Sequence, residues 1–210
     1  NTRLKELDKQ KTEFVSIASH QLRSPLTAIK GYASLLIEGS YGKLSAGVLD
    51  ATQKIYDSSK YMAVSIEDFL NVSRIELGTM KYDKKELDLA ALVKTTVEEL
   101  APAAHEKGLK LSYHAGEDKY LALGDIGKLK QVIANLIDNA MKYTPKGSID
   151  VSVAKSQGKV RLEIKDTGVG ISAETLPKLF EKFVRAKNAN NVNVSGTGLG
   201  LFVAKEFVTA

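Results

Sequence analysis

The chain has 210 residues, 43% of them hydrophobic and 26% charged, enough to bury a core as one domain or two small ones. It contains no cysteine, which excludes disulfides and thiolate metal sites and suits a reducing cytoplasm; no apolar run approaches the roughly 20 residues of a membrane span, and no signal peptide opens it, so the segment reads as soluble. The formal charge of +5 is spread along the chain rather than gathered in a block, and without zinc-finger spacing it argues against nucleic acid as a partner.

Residues 1–38 read as one helix that begins without a cap, as if cut from a longer element. Two seven-residue series, Val15, Leu22, Ile29, Leu36 and Leu7, Phe14, Ala28, Leu35, make one apolar stripe. His20 falls in a third series, Glu6, Glu13, His20, Thr27, Ser34, polar at every step, so its imidazole is expected to face outward beside the stripe. Pro25 offers no N–H to the carbonyl of Gln21, and a kink is expected just past the histidine. A Gly-rich turn, GSYGKLS at 39–45, leads to a second helix over 46–77 with the same period: Val48, Ile55, Met62, Phe69 and Leu49, Tyr56, Ala63, Leu70, Leu77. The short connection makes an antiparallel hairpin, and two helices cannot hide both stripes from water. Pairing of two hairpins into a four-helix bundle, hence a homodimer, resolves this; a coiled-coil spacer without chemistry fits the same pattern.

The pattern changes after Gly78. A charged connection at 79–88 precedes a helix at 89–106, strands at 109–114 and 119–123, a helix at 126–143 with Asp125 as N-cap, and strands at 148–154 and 159–165. The fold class is therefore α+β: a helical hairpin, then helices on one face of a mixed or antiparallel sheet. His105 and His114 have no partners at ligand spacing and are read as structural.

Three groups of residues carry chemistry. Asn135 and Asn139 lie four apart on one helix face, opposite Val132, Ile133, Leu136 and Ile137; two amides can cap a neighbouring loop or offer oxygens to a hydrated Mg²⁺. Asp166-Thr167-Gly168-Val169-Gly170 ends the last strand, where glycines permit close backbone approach and a carboxylate can accept from an exocyclic amine. Gly196-Thr197-Gly198-Leu199-Gly200-Leu201 opens a final helix and can aim backbone N–H groups at phosphates, although no strand directly precedes it and a Rossmann unit is excluded. Between the last two stands Leu179-Phe180-Glu181-Lys182-Phe183, then Arg185 and an Asn-rich stretch to Ser195 that reads as a lid or a disordered loop.

In this order and at these intervals, SHQLRSPL, NLIDNAMKYT, DTGVGI, LFEKF and GTGLGL resemble a sensor histidine kinase of two-component signalling, over essentially the whole chain. The resemblance implies a dimerisation and phosphoacceptor domain at 1–78 and a catalytic ATP-binding domain at 79–210. The latter would be the α/β sandwich of Bergerat type shared with type II topoisomerases and chaperone ATPases. It makes His20 the phosphoacceptor. Asn139 would hold Mg²⁺, with Asn135 beside it near the phosphates, and Lys142 and Tyr143 would line the nucleotide. Asp166 would read the adenine amine, with Gly168 and Gly170 shaping that pocket. Phe180 and Phe183 would anchor the lid, Arg185 would approach the phosphates, and Gly196, Thr197, Gly198, Leu199 and Gly200 would close over them.

The implied function is ATP-dependent autophosphorylation of His20, at Nε2, followed by transfer to an Asp of a response regulator receiver domain. An imidazole of ordinary pKa, about 6.5, is mostly neutral near pH 7 and presents a lone pair. Where the ATPase relatives place a water-activating Glu, this chain has Asn135, which favours transfer to histidine over water. Three departures stand out. Gln21 replaces the acidic residue that usually follows the phosphoacceptor, which predicts a slowed autokinase. Ser24 stands where relatives carry Thr or Asn to position a water, and keeps regulator phosphatase activity open. The chain ends at Ala210, short of the hairpin that completes the sheet in relatives, so the ATP-binding domain is expected to be C-terminally truncated. Rival functions are a nucleotide-binding dimeric scaffold, favoured by Gln21 and the short end, and an ATPase without phosphohistidine, disfavoured by Asn135. Any membrane attachment is expected only through segments absent from this chain, with this region on the cytoplasmic side. The stimulus, the cognate regulator and transfer within one protomer or across the dimer are not legible.

Overall fold

The computed structural model describes residues 2–116, 118–184 and 196–210, apart from the side chains of residues 2–16, 19 and 20. The chain divides into two compact units, Asn1–Met80 and Lys81–Ala210.

In the first unit, α1 (Thr2–Ile37) and α2 (Ala46–Glu76) form the expected hairpin. Helix α1 runs unbroken through Pro25, and two residues on, the Thr27 hydroxyl donates to the Arg23 carbonyl at 2.9 Å. Gly39 and Gly42 take left-handed φ of 80° and 99° in the turn, with Gly42 N–H bonded to Gly39 O. Gly78, at φ 64°, ends α2, and the Thr79 N–H returns to the Arg74 carbonyl. Arg23 and Glu67 pair at 2.8 Å across the two helices.

The helices meet through a seam that apolar periodicity did not mark. Among the described side chains, Leu26 and Ala33 are the buried apolar residues of α1, and Thr52 and Ser59, also seven apart, are buried on α2. Their hydroxyls donate to the carbonyls of Val48 (2.7 Å) and Ile55 (2.8 Å), so small side chains let the helices approach with both hydroxyls satisfied. Much of the predicted stripe, by contrast, stays in water: Leu22 and Ile29 of α1 and Val48, Ile55, Met62 and Phe69 of α2 are each 46–56% exposed, whereas Leu70 of the second α2 series is buried. Val15, Leu7 and Phe14 of the same stripe lie outside the described side chains. Near the end of α2, Asn71 is wholly buried with both amide atoms unpartnered, and nothing in the structure explains it.

The second unit comprises β1 (Lys85–Asp88), α3 (Leu89–Glu106), β2 (Leu109–Ala115), β3 (Leu121–Gly124), α4 (Ile126–Tyr143), β4 (Gly147–Ser156), β5 (Lys159–Asp166), a 3-10 turn at Leu176–Lys178, and α5 (Gly200–Thr209). The main sheet is mixed, with β2 parallel and β5 antiparallel to the central β4. Ile149, Val151 and Val153 of β4 alternate onto one face and pack with Val93 and Val97 of α3 and Ile133 and Ile137 of α4, which makes the α/β sandwich. The charged connection at 79–88 is not all connection. Its last four residues form β1, antiparallel to β3, because Leu87 buries opposite Ala122 while Lys85 and Glu86 stay in water.

Asp125 caps α4 as expected and does more. One carboxylate oxygen accepts from Lys128 N–H (3.0 Å) and the other from Asp83 N–H (2.9 Å), which ties the start of the unit to the helix. Tyr82 beside it packs edge-on against Phe207 of α5 at 6.2 Å, and Lys128 covers the same ring at 4.7 Å.

The Asp83 and Lys128 N–H groups hold the Asp125 carboxyl below its ordinary value. The carboxylate therefore adds stability above the usual range, near about 3.9, and that stability is lost as pH falls through the depressed value. Asp125→Ala is expected to destabilise by about 1–2 kcal/mol at pH 7, and the difference in unfolding free energy from the parent should shrink toward pH 3. A difference independent of pH would refute the charged cap.

Candidate functional site

Helix α4 presents opposite chemistries on its two sides. Val132, Ile133, Ile137, Ala140 and Met141 are buried, while Asn135, Asp138, Asn139 and Lys142 are half-buried on the other side. Asn139 Nδ2 donates to Asn135 Oδ1 at 3.4 Å, which orients the two amides relative to each other and leaves Asn139 Oδ1 without a hydrogen bond among the described residues. Lys142 pairs with Asp138 at 2.6 Å, one turn back on the helix.

Two further segments close on α4. The turn after β5 returns to its C-terminal end: Asp166 Oδ1 accepts the Gly168 N–H at 2.9 Å, and the Val169 N–H bonds the Tyr143 carbonyl at 3.0 Å. Gly168 is enclosed, since a Cβ there would lie 2.3 Å from Tyr143 O and 2.8 Å from both Asp166 Oδ1 and Thr144 Oγ1. Gly170, at φ 69°, needs its glycine for conformation instead.

The second segment is the start of α5. A Cβ on Gly200 would stand 2.7 Å from Asn135 Nδ2, so the first residue of α5 lies directly against the amide pair. Thr197 Oγ1 accepts from Leu199 N–H at 3.2 Å, and Leu199 is buried, so the turn before the helix is fixed from both sides. Gly198, at φ 71°, packs on Phe183, where an added Cβ would come within 2.9 Å of the backbone; Phe183 N–H bonds Gly198 O at 2.9 Å. Phe183 itself takes a left-handed φ of 63°, a strained conformation for a bulky residue, with its ring largely in water. Lys205 of α5 lies over the Phe180 ring and Lys182 over Phe202, which hold the LFEKF segment on α5.

The structure thus brings Asn135, Asn139, Phe183, Gly198 and Gly200 together at one side of α4, and Tyr143, Asp166 and Gly168 at its C-terminal end. Gly196 and Thr197 are half-buried in the turn before α5. Arg185 and the Asn-rich stretch lie outside the described residues. In the first unit, Gln21 and Ser24 are exposed on α1; His20 lies on the same helix, with its side chain outside the described ones. Thr144, which encloses Gly168, closes the NLIDNAMKYT motif, but the motif gives it no role of its own. His114 stands 4.0 Å from Asp150 and His105 is exposed, and the described residues form no cluster able to hold a metal ion through His, Asp or Glu.

Residues 10–78 match the His Kinase A (phospho-acceptor) domain, and residues 124–210 match the Histidine kinase-, DNA gyrase B-, and HSP90-like ATPase family. The chain belongs to the histidine kinases. One matched segment lies in each compact unit. Among related histidine kinases, "Sensor protein GacS" of Pseudomonas syringae pv. syringae is 34% identical over 97% of this chain and 23% of its own length. "Hybrid signal transduction histidine kinase L" of Dictyostelium discoideum is 34% identical over 92% of this chain and 12% of its own. The solved structure of full-length ShkA in complex with AMPPNP superposes with a TM-score of 0.73 at 26% identity, covering 94% of this chain and 40% of that one. The chain therefore spans well under half the length of these relatives. No helix among the described residues is long and apolar enough to cross a membrane.

In this histidine kinase family member the contact of Gly200 with Asn135 sets how closely α5 approaches the amides. Gly200→Ala is expected to displace the Asn135 amide and weaken binding of a non-hydrolysable ATP analogue about ten-fold, with little change in melting temperature because the displaced side chain is half-exposed. Calorimetric titration beside a thermal melt checks this; unchanged affinity would remove the contact from the site.

Proposed function

We propose that this chain is the phosphoryl-transfer core of a sensor histidine kinase, with residues 1–78 as dimerisation and phosphoacceptor domain and residues 79–210 as the catalytic ATP-binding domain. The observation that carries the reading is the convergence of the α4 amides with the glycine-lined start of α5. It offers amide oxygens, amide N–H donors and a helix N-terminus where a polyphosphate would lie.

In this reading the adenine amine is accepted by Asp166, in the turn enclosed by Gly168 and followed by Gly170, with Lys142 and Tyr143 at the base of the site. The phosphates lie against Gly196, Thr197, Gly198, Leu199 and Gly200, with Arg185 approaching from the lid and Phe183 at its hinge. The free Oδ1 of Asn139 fits the hard-oxygen chemistry of Mg²⁺, which supplies neutralisation of phosphate charge. The lone pair of His20 Nε2 forms the new N–P bond as the bond from Pγ to the ADP oxygen breaks, and most of the rate comes from positioning. The Nδ1 proton can hydrogen-bond the Gln21 amide oxygen, but an amide cannot take it up and water must. Asn135 has no carboxylate with which to activate water, which supports transfer to histidine over plain hydrolysis. The phosphoryl group then passes to an Asp of a response regulator receiver domain, and Ser24, exposed on α1, is the residue that would position a water to hydrolyse that aspartyl phosphate to inorganic phosphate. This region works on the cytoplasmic side, and any membrane attachment belongs to segments outside it.

Incubation with γ-labelled ATP and Mg²⁺ is expected to place acid-labile, base-stable label on the chain, and His20→Ala should abolish it. Gln21→Glu should raise the initial rate at saturating ATP on the order of 10-fold or more. Binding of ATP without any label would favour the scaffold reading, and an unaccelerated Gln21→Glu would dismiss the account of Gln21.

The water-exposed row of Leu22, Ile29, Val48, Ile55, Met62 and Phe69 supports a homodimer closing into a four-helix bundle. Sedimentation should report a dimer for the parent and a monomer for the Ile55→Glu, Met62→Glu double variant; a monomeric parent would sink the proposal.

A further inference from the structure

Among the described residues, the buried side-chain polar atoms without a hydrogen bond are those of the Asn71 amide and the hydroxyl of Thr144. Thr144 is 1% exposed and terminates α4 in an extended conformation. Threonine and valine have the same shape, and a buried hydroxyl with no acceptor is costlier than the methyl that would replace it. In the arrangement seen, then, the hydroxyl weakens the fold.

Its surroundings point to what it is for. A Cβ on Gly168 would lie 2.8 Å from Thr144 Oγ1 and 2.8 Å from Asp166 Oδ1, so hydroxyl and carboxylate both border the space where that side chain would stand. Asp166 Oδ1 already accepts the Gly168 N–H at 2.9 Å, and a carboxylate oxygen can take a second donor. The Thr144 hydroxyl, bordering the same space, is the unused donor nearest to hand.

We propose that Thr144 is a positioning residue for base recognition: when an adenine nucleotide closes the Gly168 turn, the Thr144 hydroxyl donates to Asp166 Oδ1. With Oδ1 occupied by two internal donors, Oδ2 is held as the acceptor for the exocyclic amine of the base. A 6-oxo purine, which has a carbonyl in place of that amine, gains nothing from the arrangement. This inference rests on the nucleotide reading above and adds to it the residue that sharpens base selectivity.

The test compares the parent chain, Thr144→Val and Thr144→Ser by calorimetric titration with a non-hydrolysable ATP analogue and its guanine counterpart, beside melts without nucleotide and labelling kinetics with ATP. Thr144→Val is expected to melt no lower than the parent, to bind the adenine analogue about ten-fold more weakly, and to leave binding of the guanine analogue unchanged. The concentration of ATP giving half-maximal labelling should rise while the rate at saturation holds, and Thr144→Ser, which keeps the hydroxyl, should restore adenine affinity. Adenine affinity of Thr144→Val within about two-fold of the parent would overturn the proposal, as would equal losses for both bases. A parent that binds neither analogue would remove the nucleotide reading itself, an outcome distinct from a variant-specific result.

Discussion

The approach of α5 to α4 is the contact on which the second unit's chemistry depends. It is possible only because residue 200 has no side chain: a methyl there would occupy the place of the Asn135 amide. The same constraint recurs at Gly198, whose missing Cβ admits the backbone of Phe183, and at Gly168, which is wrapped by Asp166, Thr144 and the Tyr143 carbonyl. Three glycines thus act as points where polar backbone and functional side chains come within van der Waals distance. Of the three, Gly198 also takes a positive φ, which only glycine adopts readily.

Helix α4 is the element against which everything else in that unit is placed. Its apolar side joins β4 and α3 in the core, its amide side meets α5, its last residues receive the turn after β5, and its first turn is capped by Asp125. Because Asp125 also holds the backbone of Asp83, the start of the unit is fixed to the helix that carries Asn135 and Asn139. Tyr82 and Lys128 add a second attachment through Phe207, so the connector is bound to both α4 and α5.

The first unit divides its surfaces differently. Small residues with self-satisfied hydroxyls, Thr52 and Ser59, join Leu26 and Ala33 in closing the hairpin, while Leu22, Ile29, Val48, Ile55, Met62 and Phe69 face water. A single hairpin of this kind buries little apolar area, and the proposed second copy would cover what it leaves open.

Much of this was determined by the sequence alone. Heptad spacing located both long helices, alternation and turn residues located most strands, and Asp125 was legible as a cap because the cap signal is local. The motif order identified the family, and i, i+4 spacing put Asn135 and Asn139 on one face. What only the tertiary structure decided involves partners distant in the chain. Strand β1 exists because β3 offers it a ladder, not because KELD favours extension. The buried seam of the hairpin runs through Ala, Thr and Ser because helix approach rewards small size there, which hydrophobic periodicity cannot register. Thr144 became visible through the absence of a hydrogen bond, and Gly200 through a neighbour 65 residues away in α4, the kind of close approach that no local pattern encodes.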